Sequence, residues 1–144
     1  MESHNVLTRA FFTKRLADLC LRSGMSGLPR DDVSRHVLFT SMVAMLPVDA
    51  PLHQRVVDAR LTDWIETSGI KALDHVTLRR YLVDAGYLRR RVDGTGYRVV
   101  ADPPGRPRCE PGVLDLDLAA VLRARREDVA RRKAEYLGAN AARA

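Results

Sequence analysis

The segment from Leu73 to Val100 constrains the fold more than any other part of this chain. Asp74 is a typical helix N-cap, and the apolar residues after it keep a helical spacing over about His75–Ala85, until Gly86 ends the helix. A basic hairpin comes next, with strands over Tyr87–Val92 and Gly96–Val100 joined by an Asp93-Gly94-Thr95 turn. The segment therefore predicts a short helix followed by a two-stranded hairpin.

Three further amphipathic helices are predicted before this segment. They run from Thr8 to about Arg22, from Asp31 or Asp32 to just before Pro47, and from about His53 to Thr67. We expect Trp64, the only tryptophan, to lie in the core as part of the apolar stripe of the third helix. Helices followed by a hairpin of this kind are the outline of a winged helix-turn-helix domain.

Two elements follow the hairpin. Ala101–Gly112 contains four prolines and is predicted to be an extended linker, because proline fits neither a helix interior nor a central strand. A last helix is predicted from about Asp115 to Leu137, with acidic residues in its first turn and basic residues near its end. The fold class is mainly α with a small β-hairpin. The predicted divisions are an N-terminal extension (1–27), a winged-helix domain (28–100), a linker (101–114) and a C-terminal helix with its tail (115–144).

Positive charge is concentrated in the second half of the chain. Residues 79–108 contain eight arginines and three acidic residues, which gives +5 of the formal net charge of +6. Such a concentration favours a polyanionic partner. The alternative is a solvated surface in an arginine-rich protein, since the chain has 21 arginines and only three lysines.

The helix and hairpin resemble a family of bacterial domains of unknown function, DUF2087. Its motif, L-R-R-x-L-V-D-x-G-x-L-x-R followed by D-G-x-x-Y, is matched here by Leu78, Arg79, Arg80, Leu82, Val83, Asp84, Gly86, Leu88, Arg90, Asp93, Gly94 and Tyr97. The resemblance covers roughly Leu28–Val100, although Leu46–Leu52 stands where the family has an aromatic- and glycine-containing connector. Members resemble winged-helix transcription factors, and some follow an ArsR-type DNA-binding domain. The resemblance thus implies a fold and a regulatory setting, and it supplies no catalytic residues.

Candidate nucleic-acid-binding residues lie on the fourth helix and on the hairpin, which corresponds to the wing. They are Thr77, Arg79, Arg80, Arg89, Arg90, Arg91 and Arg98. The helical spacing predicts that Arg79 and Arg80 both point away from the buried seam. The alternative is that this arginine pair anchors a carboxylate such as Asp84, four residues after Arg80.

A candidate accessory arm for a minor groove lies in the Pro-rich segment. Pro104-Gly105-Arg106-Pro107-Arg108 resembles the Gly-Arg-Pro core of an AT-hook, with Arg106 and Arg108 as its basic residues. The basic residue usual before the glycine is replaced by Pro104. An ordinary semi-rigid linker is the alternative.

Catalytic and metal-binding patterns are absent from the sequence. The four histidines are scattered, and the chain has no CxxC pair, phosphate loop or nucleophile elbow. We therefore expect no enzyme, metal or cofactor. Cys20 and Cys109 are expected to be reduced thiols, and the lack of a signal peptide and of a long apolar run predicts a cytoplasmic protein without a membrane span.

The main functional hypothesis is a DNA-binding transcriptional regulator that contacts duplex phosphates through the fourth helix and the wing, with a homodimer as one arrangement. The alternative is a winged-helix adaptor that binds a protein of the transcription complex through the C-terminal helix or an apolar patch near Met42 and Met45. A small-molecule sensor with a pocket between helices 1 and 3 is a third reading, for which the sequence offers no convergent polar groups.

Overall fold

A computed structural model describes residues 6–21 and 27–143 of the chain. The described part contains five α-helices and one antiparallel hairpin. Their bounds are α1 Arg9–Leu21, α2 Asp32–Val43, α3 Gln54–Ser68, α4 His75–Asp84, β1 Leu88–Arg90, β2 Tyr97–Val99 and α5 Leu118–Arg143. The fold is a winged helix-turn-helix with an N-terminal helix and an appended C-terminal helix, as the sequence predicts. The predicted end of helix 1 at Arg22, with its stop at Gly24, lies outside the described residues.

The helix caps are formed by residues next to the helices in sequence. They place the starts of α2 and α4 and the end of α3 close to the predicted bounds. The Asp31 side chain accepts a hydrogen bond from the Ser34 amide, and the Asp74 side chain accepts one from the Thr77 amide. Gly69 ends α3 in the left-handed conformation, with a φ of 76° that suits glycine.

The end of α2 differs from the prediction. The helix stops at Val43, four residues before Pro47, and Met45 has a φ of 73°. This bend directs the Met45 amide to the carbonyl oxygen of Leu114, at 2.8 Å, in a distant part of the chain. A tertiary contact therefore ends α2 before the proline does.

The core lies where α1, α2 and α3 meet α4 and the inner face of the hairpin. Trp64 is fully buried, as predicted, and its Nε1 donates a hydrogen bond to Ser41 Oγ at 2.9 Å. The predicted apolar patch near Met42 and Met45 is not a patch, because Met42 is buried in this core and only Met45 is exposed.

The α2–α3 connector forms a single β-bridge to the wing. Leu52 exchanges two backbone hydrogen bonds with Tyr97, of 2.7 and 2.8 Å. A Cβ atom on Gly96 would lie only 2.3 Å from the Leu52 carbonyl oxygen, so only glycine permits this close approach. The departure from the family pattern at residues 46–52 is thus compatible with the fold.

The Pro-rich segment lies along the body. The Leu7 amide donates to the Arg108 carbonyl at 2.8 Å, and the Glu110 amide donates to the Leu7 carbonyl at 2.9 Å. A 3-10 turn over Val113–Asp115 then leads into α5. Core residues of this region are Val113, Leu116, Leu118 and Leu122. The predicted domain divisions remain predictions.

The first half of α5 packs on α1 and α3, and its side chains from Val129 to Ala141 are exposed. The helix begins three residues later than predicted and extends six residues further, to Arg143. No helix in the described part of the chain has both the length and the apolar character needed to cross a membrane.

Candidate nucleic-acid interface

The hairpin register places arginines on both sides of the wing. Arg89 lies directly opposite Arg98, and Arg90 lies opposite Tyr97. Residues in such pairs share a face of the sheet, so Arg89 and Arg98 project from the face opposite the buried Leu88, Tyr97 and Val99. Arg90 is on the inner face, at the outer end of β1, where it stays exposed. One exposed face of the hairpin therefore carries at least two arginines.

The turn between the strands is held by Asp93. Its carboxylate accepts hydrogen bonds from the Thr95 hydroxyl at 2.7 Å and from the Thr95 amide at 3.1 Å. These two bonds hold the pKa of the Asp93 carboxyl below its usual value. Gly94 adopts a φ of 74°, as the Asp-Gly turn signal predicts. The turn therefore carries one fixed negative charge among several positive ones.

The wing arginines surround a shallow depression of about 470 Å³ on the surface. Its lining consists of Arg89, Arg90, Arg91, Val92, Asp93 and Arg98. Arg91 lies 3.7 Å from Asp93, and both side chains are about half exposed. Among the described residues, no carboxylate lies within 4.0 Å of the guanidinium groups of the other three arginines. We call this set of Arg89, Arg90, Arg91 and Arg98 the wing cluster.

On α4 the structure separates the two neighbouring arginines. Arg79 forms an ion pair with Asp58 of α3, and its Cζ lies 6.0 Å from the centre of the Tyr97 ring. Only 15% of the Arg79 side chain is exposed. The prediction that Arg79 points outward is therefore wrong, because an acid on the neighbouring helix draws the guanidinium between α3 and the hairpin. Arg80 is exposed, as predicted.

The alternative, that this arginine pair anchors a carboxylate such as Asp84, holds only for Arg79 and with a different acid. Within residues 27–143 no ion pair joins Arg80 to Asp84, and the acid that Arg79 holds is Asp58. Thr77 lies in the first turn of α4, where its amide donates a hydrogen bond of 2.8 Å to the Asp74 carboxylate and helps to hold the pKa of that carboxyl below its usual value. Thr77 thus completes a cap.

The candidate accessory arm is attached to the body. Arg106 stacks over the Tyr87 ring, with its Cζ 5.2 Å from the ring centre. Arg108 is exposed and lies 3.5 Å from Asp102. Neither residue adjoins the depression of the wing cluster.

The α5 helix leaves the wing cluster uncovered. Its packing partners are α1 and α3, and Arg125 of α5 forms an ion pair with Asp18 of α1. The main packing partners of α4 are α3 and β1. The tail therefore does not lie across the basic surface.

Sequence reasoning missed a buried polar network at His36. His36 is only 2% exposed, and its ring bonds the Tyr87 hydroxyl at 2.7 Å and the Pro107 carbonyl at 2.8 Å. The one available signal was a histidine inside the apolar run of α2. The two thiols are free, and burial raises the pKa of Cys20 to about 12 and that of Cys109 to about 11. Over residues 6–21 and 27–143, no cluster of three or more His, Cys, Asp or Glu side chains could hold a metal.

Comparison with known families agrees with the resemblance found in the sequence. Residues 25–99 match the family described as an uncharacterized protein conserved in bacteria, DUF2087. This match spans 75 of the 144 residues, and it includes α2, α3, α4 and the whole hairpin. No curated protein and no solved structure matches the chain. On the family match, this chain is a member of the DUF2087 family.

Proposed function

We propose that this protein is a cytoplasmic DNA-binding transcriptional regulator that contacts duplex phosphates mainly through its wing. The observation that carries the proposal is the wing cluster, in which three of the four arginines have no carboxylate partner among the described residues. Such guanidinium groups are free to pair with phosphate oxygens, and arginine suits these oxygens because it can donate two parallel hydrogen bonds. Arg80 supplies a further exposed cation on α4.

The partly buried pair of Arg79 with Asp58 limits which DNA contacts the hypothesis can include. A helix-based reading of bases through Arg79 would require this ion pair to break first. Contacts from the wing and from Arg80 require no such rearrangement. The proposal is therefore backbone contact, which positions a protein on DNA without reading its sequence.

The test is a titration of random duplex DNA, followed by fluorescence anisotropy at several salt concentrations. Each phosphate contact contributes roughly 0.9 to the slope of log affinity against log salt. The triple variant Arg89→Gln, Arg90→Gln, Arg98→Gln should lower that slope by roughly 2 to 3 and abolish most of the binding at moderate salt.

A matched control removes the same charge elsewhere. Arg123, Arg126 and Lys133 are exposed on α5 and lack an acidic partner within 4.0 Å in the described chain. Replacing these three residues with glutamine should leave the slope within about half a unit of the wild-type value. Equal losses in both triple variants, or no binding by the wild type at low salt, would contradict the proposal.

The second candidate is an adaptor that binds a protein through the far half of α5. The exposure of Val129, Tyr136 and Leu137 on this half favours it, because large apolar side chains grouped on one element often mark an interface. A second copy of the chain is the simplest partner to test. Sedimentation of the wild type against a Val129→Ser, Tyr136→Ser variant should show self-association only in the wild type. If the wild type is monomeric at all concentrations, this arrangement is excluded.

A further inference from the structure

A cavity of about 600 Å³ lies between the start of α2 and the Pro-rich segment. One side of it is lined by Arg30, just before α2, and by Arg35 and Phe39 of α2, and residues 104–107 form the other wall. Ala85 contributes from the end of α4, and Tyr87 contributes from the start of the hairpin. The volume lies within the range of cavities that hold small organic ligands. It is distinct from the depression of the wing cluster and from the predicted pocket between helices 1 and 3.

The lining of this cavity is cationic. Three arginines contribute to it, Arg30, Arg35 and Arg106, against a single acid, Asp32. In the part of the chain that the structure describes, none of the three guanidinium groups has a carboxylate within 4.0 Å. Positive charges gathered in a concave, partly enclosed site raise the local concentration of anions.

Aromatic rings orient two of these guanidinium groups. The Cζ of Arg35 lies 5.8 Å from the centre of the Phe39 ring, and the Cζ of Arg106 lies 5.2 Å from that of Tyr87. Arg106 also donates a hydrogen bond of 3.2 Å to the Pro104 carbonyl. A guanidinium held over a ring keeps its in-plane N–H donors for an anionic partner. Both rings are themselves buried, so the partly exposed apolar side chains of the lining are Val33, Ala85, Pro104 and Pro107.

His36 holds the wall formed by residues 104–107 in place. A carbonyl oxygen can only accept a hydrogen bond, so His36 Nε2 must donate to Pro107, and Nδ1 of the neutral ring accepts from the Tyr87 hydroxyl. Burial lowers the pKa of His36 and raises that of Tyr87 to about 12, which favours these protonation states at neutral pH. The wall and the Tyr87 ring are therefore fixed before any ligand arrives.

We propose that this cavity binds a small organic anion, with an apolar body against Val33, Ala85 and Pro104 and a phosphate or carboxylate group on Arg35 and Arg106. Arg30 at the rim adds to the attraction of the anionic group. This proposal stands independently of DNA binding, since it involves none of the residues of the wing cluster.

The test uses four probes of defined chemistry. Phenyl phosphate and benzoate carry both an aromatic ring and an anionic group, inorganic phosphate carries only the charge, and phenol carries only the ring. We expect saturable binding of phenyl phosphate or benzoate with a dissociation constant of millimolar or tighter, and at least fivefold weaker binding of inorganic phosphate and phenol. The stronger of the two aromatic anions identifies the preferred group. Amide chemical shifts in the wild-type protein should change around Arg35, Phe39 and Gly105.

Single substitutions separate the cavity from general charge effects. Arg35→Gln and Arg106→Gln should each weaken the binding of the aromatic anion at least fivefold. Arg108→Gln is the matched control, because it removes the same charge from the same segment outside the cavity, and it should change affinity less than twofold. Shift mapping on the unaltered protein keeps the test valid if a variant fails to fold.

Four results would overturn the proposal, and three of them concern the aromatic anions. These three are the absence of saturable binding at about 10 mM of either aromatic anion, an equal loss of affinity in Arg108→Gln, and shift changes located away from residues 30–39 and 104–107. Phenol binding as tightly as the aromatic anions would likewise reduce the cavity to an apolar crevice.

Discussion

Two arginines between helices of the body and three arginines of the wing are chemically identical, yet their surroundings are opposite. In the body, Arg79 is paired with Asp58 between α3 and α4, and Arg125 is paired with Asp18 between α1 and α5. In the wing, Arg89, Arg90 and Arg98 are exposed and lack such partners among the described residues. Charge along the sequence therefore does not identify a binding surface. A guanidinium is free for a ligand only where the fold brings no carboxylate to it.

The largest effect on stability is expected at the pair of Arg79 and Asp58. Their side chains are 15% and 26% exposed, so this pair lies between an exposed and a fully buried one. Replacing Arg79 with methionine leaves a half-buried carboxylate without its partner and should lower the free energy of unfolding by about 2 kcal/mol. Urea denaturation measures the change.

A double variant tests whether the unpaired carboxylate causes this loss of stability. Adding Asp58→Leu to Arg79→Met removes the unpaired carboxylate, so the double variant should be more stable than Arg79→Met alone. Arg80→Met is the neighbouring control, and we expect it to change stability by less than about 0.5 kcal/mol because Arg80 is exposed. Equal effects at residues 79 and 80 would remove the distinction between body and surface.

The next largest loss of stability is expected on acidification. Arginine does not cause it, because the guanidinium group stays protonated over the whole pH range. Burial lowers the pKa of folded His36 below 6.5, so the unfolded chain binds more protons at this position. The stabilisation is therefore present above about pH 6.5 and is lost as the pH falls below that value. Protonation also replaces the acceptor of the Tyr87 hydroxyl with a donor, at a cost of about 1 to 2 kcal/mol.

Unfolding midpoints of the wild type and His36→Gln between pH 7.5 and 5 test this expectation. The variant should be less stable at pH 7.5 and should lose less stability on acidification than the wild type. Parallel curves for the two proteins would show that another group controls the acid response.

A smaller effect is expected at the pair of Arg125 and Asp18. Both side chains are about one third exposed, so solvent screens their attraction more than that of Arg79 and Asp58. Arg125→Gln should lower the free energy of unfolding by roughly 0.5 kcal/mol, and raising the salt concentration should reduce the difference. A loss as large as that of Arg79→Met would mean that exposure does not rank these pairs.

The wing should show the smallest effect on stability. Arg89→Gln should change the free energy of unfolding by less than about 0.5 kcal/mol, since the side chain is exposed and lacks an acidic partner in the described chain. It should nevertheless lower the salt slope of DNA binding by roughly 0.9, whereas Arg79→Met should leave that slope unchanged. The reverse pattern would contradict the comparison between the two regions.

Local signals predicted most of the fold. Asp31, Asp74 and Gly69 act within one turn of their own helices, so the sequence nearby is enough to find these boundaries. The end of α2 was missed because it depends on a hydrogen bond from Met45 to Leu114, about seventy residues away. The predicted strands are longer than β1 and β2, although backbone hydrogen bonds from Arg91 to Gly96 and from Val100 to Tyr87 extend the pairing by one residue at each end.

The candidate site was predicted only in part, for a similar reason. Helical spacing predicts the face of α4 on which Arg79 lies. It cannot show that α3 brings the Asp58 carboxylate next to that face. The hairpin arginines were easier to place, because alternation along a strand determines their faces. His36 was missed because its partners, Tyr87 and Pro107, lie 51 and 71 residues further along the chain.

The burial of Val113, Leu116 and Leu122 against the helices of the family region bears on how this protein can be divided. In a fragment trimmed to residues 25–99, the apolar core residues that these three side chains cover would be exposed to water. The Met45 amide would also lose its hydrogen-bond acceptor. The chain from residue 100 to about 122 is consequently part of the smallest piece that should fold by itself, and binding studies on anything shorter would measure a damaged domain.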